Sequence, residues 1–145
     1  MDNPWREVIA EWQGETSFIG RNPTGGMVQM GKIDDRPGMS PMELLLAGLA
    51  GCTGMDIASI LSKQRQPFVD LKVKVRGKRA SDYPKVFTEL EVTYLLWGEG
   101  LDLKSVERAI QLSEEKYCSV GLMLDKAALI HSSYRILKPG EEAGT

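Results

Sequence analysis

Hydrophobic and polar residues follow a pattern typical of a buried helix in the middle of the chain and alternate with a period of two on either side of it. Residues 40–65 open with a helix start signal: Ser40 at the N-cap position, Pro41 at the first helical position and Glu43 three residues after the serine. The run from Leu44 to Gly51 that follows contains no polar side chain. Since a helix that is apolar on all sides is buried on all sides, the pattern predicts one long central helix.

Alternation with a period of two predicts strands before and after this helix. The N-terminal strands are short and separated by turn residues, which indicates a small antiparallel meander. Two longer alternating segments follow the helix and predict a hairpin with one solvated face. The predicted strands cover residues 5–12, 17–20, 27–31, 71–76, 86–97 and 129–137.

Two further helices are predicted between the hairpin and the last strand. The first runs from Asp102 as N-cap to Tyr117, with Tyr117 on its apolar face and Glu114 on its wet face. Ser119 would cap a short helix over residues 120–126, whose first turn lies beside Cys118.

The order of elements predicts an α+β fold in which antiparallel sheets surround the long helix. We expect a single domain over residues 1–138 and a frayed C-terminal tail over residues 139–145.

The long helix also bears on oligomeric state. Gly48, Gly51 and Gly54 form a stripe without side chains, which suggests that another backbone packs closely there. A symmetric homodimer with its long helices packed together would cover the apolar surface. The alternative is a monomer whose helix is cradled by a curved sheet.

Charge and composition exclude several classes of function. With 18 basic and 20 acidic residues and no basic stripe, the chain is a poor match for nucleic acid. The apolar run Leu44 to Gly51 is too short to span a membrane, and the first 12 residues do not resemble a signal peptide, so we expect a cytoplasmic protein. One histidine and two widely separated cysteines do not match a short metal-binding pattern, so no metal site is expected.

Cys52 and Cys118 are the candidates for chemistry. A peroxidatic cysteine needs thiolate character, access for a small oxidant and a second thiol that intercepts the sulfenic acid. Cys118 at a helix start would be favoured as a thiolate, because backbone donors and the helix dipole point there. The alternative is that a cysteine in a helix of Ala, Gly and Leu is a small core residue.

Activation of Cys52 requires a cation, and Arg36 and Arg21 are the candidates for it. Each could instead be an ordinary solvated arginine. Glu43 either orients the arginine or only closes the capping box. Asp56, four residues after Cys52, would oppose a thiolate unless it is paired or turned outward.

Two segments resemble motifs of the OsmC/Ohr family, the osmotically inducible and organic-hydroperoxide-resistance proteins. SPMELLLAGLAGCTGMD is similar to the family's central helix leading to the first cysteine, and EEKYCSVGLML is similar to its second cysteine motif. The order of strands and helices fits over nearly the whole chain. The form SPMELLL looks closest to a less characterised, OsmC-like branch of the family.

The resemblance implies an intertwined homodimer with two active sites at the subunit interface. By the same resemblance, Cys52 is the peroxidatic and Cys118 the resolving thiol, and Arg36 suits the arginine position of one branch of the family and Arg21 that of another. The implied reaction is reduction of an organic hydroperoxide through a Cys52–Cys118 disulfide, with recycling by a dithiol such as a lipoyl group and with no metal or flavin.

Two other functions remain open from the sequence. One is a non-catalytic, OsmC-like stress protein that binds a small apolar ligand at the dimer interface, with the cysteines as packing residues. The other is a purely structural role in stress. Of the three hypotheses, only the peroxidase requires an intramolecular disulfide to form after mild peroxide treatment.

Overall fold

The long helix α1 (Pro41–Lys63) begins where its start signal predicts. The Ser40 backbone N–H donates to Glu43 Oε1 at 2.9 Å, and the Glu43 N–H donates to Ser40 Oγ at 3.1 Å. These bonds form the predicted capping box. The hydrogen bonds from Ser40 lower the pKa of the Glu43 carboxyl.

The computed structural model describes residues 3–144, and the chain divides into two units, residues 1–45 and residues 46–145. The first unit contains an antiparallel sheet of three short strands in the order β1 (Ile9–Trp12), β2 (Phe18–Arg21) and β3 (Met27–Met30). This confirms the predicted meander, although β1 starts four residues later than residue 5. Several large apolar side chains of the first unit are exposed, among them Trp5 and Trp12.

The second unit contains a sheet in the order β4 (Phe68–Arg79), β5 (Phe87–Gly98) and β6 (Leu129–Leu137). The β4–β5 hairpin is antiparallel, as predicted. However, β6 pairs with β5 in parallel, so the expectation of purely antiparallel sheets is wrong for this edge. A parallel neighbour needs a long crossover, and the helical segment between β5 and β6 supplies it.

The crossover is more complex than two regular helices. It consists of α2 (Leu103–Leu112), a π-helical turn (Ser113–Tyr117) and α3 (Ser119–Leu124). The wider π turn changes the direction in which the following side chains point. Tyr117, expected on the apolar face, is therefore 49% exposed, while Ser113 is fully buried.

The hydrophobic core lies in the second unit, on one face of β5. Alternate residues of this strand point inward and are fully buried or nearly so: Leu90, Val92, Tyr94 and Leu96. Helix α2 contributes Val106 and Ala109. Helix α1 contributes residues four apart along one face, Leu49, Thr53, Ile57 and Leu61.

The opposite face of α1 is uncovered within one chain. Met55 is 76% and Leu45 is 43% exposed. Complete burial of α1 by its own chain, which the monomer alternative requires, is therefore not found among residues 3–144, where the buried residues of α1 lie on one face. The side chains that approach Gly48 and Gly54 belong to Val120 and Val73, and a Cβ added at Gly51 would meet nothing within 4 Å. Close approach of another backbone to this stripe is thus not found among residues 3–144.

One helix among the described residues, α1, has the length and composition of a membrane span. Its most apolar window has a mean hydropathy of 1.8, and 22% of that window is buried. The argument that this region is too short to span a membrane holds for Leu44 to Gly51 but not for the whole helix. Core helices of soluble proteins have the same composition.

Candidate functional site

Two cysteines that are far apart in the sequence lie side by side in the second unit. Cys52 is in the middle of α1 and half-buried, and Cys118 follows the π turn and is fully buried. Their sulfur atoms and one carboxylate oxygen of Asp56 all lie within 4.8 Å of one another. Both cysteines are free thiols. Cys118 is the more deeply buried of the two.

Backbone hydrogen bonds hold Cys118 in place. Cys118 is itself the N-cap of α3, a role predicted for Ser119, and its Sγ accepts a 3.2 Å hydrogen bond from the Gly121 N–H. Its own N–H donates to the Ser113 carbonyl at 2.8 Å.

Burial, followed by the neighbouring Cys52 thiol, raises the pKa of the Cys118 thiol, and the Gly121 N–H only partly opposes the rise. The predicted preference for a thiolate at this helix start is therefore outweighed by burial.

Asp56 is paired by a hydrogen bond. Pairing is one of the two arrangements in which its charge was not expected to oppose a thiolate at Cys52. Its Oδ2 accepts a 2.8 Å hydrogen bond from the hydroxyl of Ser113, at the start of the π turn. Ser113 is fully buried, so this bond joins α1 to the crossover in the interior of the second unit. The bond joins residues 57 apart in the chain and had no signal in the sequence.

The other three predicted site residues belong to the first unit. The Arg21 guanidinium forms an ion pair with Glu11 and also donates to the Met27 sulfur. Arg36 is exposed, and its backbone pairs with Ile33 in both directions. Within residues 3–144 the Arg36 side chain has no salt bridge. Glu43 is engaged in the capping box, which is the simpler of its two predicted roles.

A polar group that the sequence placed on a wet face lines the same cavity as Cys118 instead. Glu114 accepts a 2.8 Å hydrogen bond from the Tyr94 hydroxyl and a 3.1 Å bond from the Ser132 hydroxyl. Burial, followed by the bond to Glu114, raises the pKa of Tyr94. The expectation for Glu114 assumed regular α-helical phase through residue 117, and the π turn breaks that phase.

These residues line a cavity of about 160 Å³ that reaches Cys118. Its lining is mostly apolar, with Glu114 and Asp125 as the acidic groups. The full lining is Leu49, Thr53, Val92, Tyr94, Glu114, Cys118, Gly121, Leu122, Asp125, Ile130 and Ser132. All of these residues belong to the second unit.

A family model described as OsmC-like protein matches residues 33–132, which include both cysteines and α1. The chain belongs to the OsmC-like family. This confirms the resemblance drawn from the two cysteine motifs, and proteins of the OsmC/Ohr family are typically dimeric.

The OsmC-like chain is 38% identical over 131 residues to protein YhfA of Escherichia coli K12, covering 90% of this chain and 98% of YhfA. A crystal structure of a hypothetical protein from Aquifex aeolicus is 34% identical with a TM-score of 0.83, covering 97% of this chain and all of that one. The organic hydroperoxide resistance protein OhrB of Bacillus subtilis is 16% identical with a TM-score of 0.59, covering 90% and 98% of the two chains. At that identity, OhrB shares the fold, and these likenesses confirm the predicted α+β, OsmC-like class.

Proposed function

We propose that this protein is a thiol-dependent peroxidase that reduces organic hydroperoxides. The observation that carries the proposal is the adjacency of the Cys52 and Cys118 sulfurs, which lie within 4.8 Å although the residues are far apart in sequence. A disulfide needs about 2.05 Å between sulfurs, so closing it requires a further approach of the two side chains. The fold likeness to an organic hydroperoxide resistance protein supports the choice of substrate class.

The different environments of the two thiols support different roles. Cys52 is the more accessible and takes the peroxidatic role, while Cys118 is fully buried and its raised pKa keeps it protonated as the resolving thiol. The Cys52 thiolate attacks the peroxide O–O bond, and with one proton this yields Cys52 sulfenic acid and an alcohol. The Cys118 thiol then displaces water from the sulfenic acid and forms the disulfide. A dithiol reductant, for example a lipoyl group, restores both thiols and leaves as a cyclic disulfide.

The arginine that stabilises the thiolate is, in this proposal, Arg36. The Arg21 guanidinium already pairs with Glu11, whereas that of Arg36 has no such pairing among residues 3–144. Glu43 closes the helix cap and could contribute further only by orienting an arginine. Chemistry of this kind takes place at sulfur, with neither metal nor flavin as cofactor, and suits a reducing cytoplasm.

The functional unit is a homodimer. Exposed apolar side chains on α1, such as Met55, and around the N-terminal strands, such as Trp5 and Trp12, offer surface for a second copy. Exposed apolar side chains mark an interaction site where they are contiguous, and a second copy would cover them. Because proteins of the family are typically dimeric, we propose that a second copy of this chain covers these side chains.

The direct test measures consumption of cumene hydroperoxide by the purified protein with dihydrolipoamide. Wild type should turn over, Cys52→Ser should abolish consumption, and Cys118→Ser should retain a first oxidation without forming the disulfide. Mass spectrometry after one equivalent of peroxide should show loss of two hydrogens in wild type only. Equal inertness of wild type and Cys52→Ser would overturn the proposal.

A second candidate is a non-catalytic protein that binds a small apolar ligand. The mostly apolar cavity beside Cys118 favours it, since this cavity offers space for such a ligand. Native mass spectrometry of the protein as purified would reveal a bound ligand. A bound ligand together with absence of peroxide-induced disulfide would favour this second function.

A further inference from the structure

The carboxylate of Asp56 lies next to the two thiols. Cys52 and Asp56 lie one turn apart on α1, and Cys118 approaches them from the crossover, so that one donor atom from each lies within 4.8 Å of the others. Cysteine thiolates and aspartate carboxylates each serve as ligands of Zn²⁺. In a tetrahedral site they leave one position for water.

Two of the three donors are already held by hydrogen bonds. The Ser113 hydroxyl binds Asp56 Oδ2 at 2.8 Å, which leaves the other carboxylate oxygen for a further ligand. The Gly121 N–H fixes the Cys118 sulfur at 3.2 Å. Ligating groups of metal sites are typically oriented by such outer partners, and loss of a partner weakens binding.

The charge of the cluster also favours a cation. Cys52, Asp56 and Cys118 each carry a negative charge when ionised, and their donor atoms all lie within 4.8 Å of one another. Ionised together, the three groups repel one another. A divalent ion between them would compensate most of that charge, because short distances at low dielectric strengthen the attraction.

We propose that the reduced protein binds one soft divalent cation, such as Zn²⁺, through Cys52, Asp56 and Cys118. On binding, two S–H bonds break, two metal–sulfur bonds form and two protons pass to solvent. The regulatory consequence rests on the proposed peroxidase function. Because the same two sulfurs form the catalytic disulfide, bound metal blocks reaction with peroxide, and oxidation removes the metal ligands.

The site is tested with Co²⁺ as a spectroscopic probe on the reduced, full-length protein under anaerobic conditions. Wild type should bind one Co²⁺ per chain with a thiolate-to-cobalt charge-transfer band, and Zn²⁺ should displace it. Asp56→Asn and Ser113→Ala should each weaken binding by about tenfold or more, as losses of ligand and outer partner do in known sites. Asp70→Asn, which removes an exposed carboxylate of β4, is the matched control and should bind as wild type does.

Three results would overturn the site: absence of the thiolate-to-cobalt band, unchanged affinity in Asp56→Asn, or equal binding by the disulfide form. Cys52→Ser and Cys118→Ser should each diminish the band, with circular dichroism confirming their fold.

The regulatory consequence has its own measurement. One equivalent of Zn²⁺ should suppress peroxide consumption by wild type, and a chelator should restore it. If the protein binds Co²⁺ but does not consume peroxide, the metal site is supported and the peroxidase proposal is overturned. If the protein consumes peroxide but does not bind Co²⁺, the peroxidase proposal is supported and the metal site is overturned.

Discussion

The Ser113 hydroxyl donates a 2.8 Å hydrogen bond to the Asp56 carboxylate. The bond places the first residue of the π turn against α1, one helical turn beyond Cys52. From the end of the same π turn the chain passes directly into Cys118. Cys52 within α1 and Cys118 after the π turn thus belong to two segments that this contact helps to hold together.

Removal of the Ser113 hydroxyl should destabilise the protein. Ser113→Ala leaves Asp56 without its buried donor, and we expect a loss of about 1–3 kcal/mol in the free energy of unfolding. Urea denaturation at neutral pH measures it. Ser133→Ala, on an exposed position of β6, is the control and should stay within about 0.5 kcal/mol of wild type. A Ser113→Ala variant as stable as that control would show that the bond contributes little.

The two thiols should differ in reactivity in the native state. Cys118 is 0% exposed and Cys52 is partly accessible, so an alkylating reagent should modify Cys52 first. The raised pKa of Cys118 acts in the same direction, because the thiol form does not react. Peptide mass spectrometry over a time course of iodoacetamide treatment gives both rates, and in denaturant the two should become similar. Faster labelling of Cys118 in the folded protein would contradict the assignment of roles.

Tyr94→Phe should weaken the protein and change its response to alkaline pH. Tyr94 is fully buried and donates to the Glu114 carboxylate at 2.8 Å, so its loss should cost about 1.5–3 kcal/mol near neutral pH, as for hydrogen bonds to charged groups.

The pKa of Tyr94 is raised above its ordinary 10.0 in the folded protein. The unfolded chain therefore releases this proton first, and wild-type stability should fall as pH rises above about 10. Tyr94→Phe should lack this part of the decline. Urea denaturation of both proteins at about pH 9 and about pH 11 tests it, and identical slopes would refute the effect.

The uncovered face of α1 gives a test of the dimer. Apart from the backbone of α1 itself, a Cβ at Gly51 meets nothing among residues 3–144 within 4 Å, so Gly51→Leu in a monomer should stabilise the helix by about 0.8–1 kcal/mol. If a second α1 packs there, the added side chain should instead shift the protein from dimer to monomer. Sedimentation velocity of Gly51→Leu and of Lys104→Leu, an exposed position of α2, separates the cases. Gly51→Leu with the same mass as a dimeric wild type would place the interface elsewhere.

Local signals in the sequence were sufficient to predict most of the helices and strands. The capping box at Ser40 and Glu43 and the alternation through β5 depend on residues a few positions apart, and both are found in the structure. The two cysteine motifs were sufficient for the family. Helix periods and caps can be read from one sequence because the interactions behind them are local.

What only the tertiary structure decided involves contacts between distant residues. The parallel pairing of β6, the inward position of Glu114 after the π turn, and the meeting of Asp56 with Ser113 had no local signature. The same holds for the cluster of Cys52, Asp56 and Cys118, whose spacing in sequence argued against a metal site. Such contacts depend on how whole elements pack, and a one-residue change of helical phase, as in the π turn, redirects every side chain that follows.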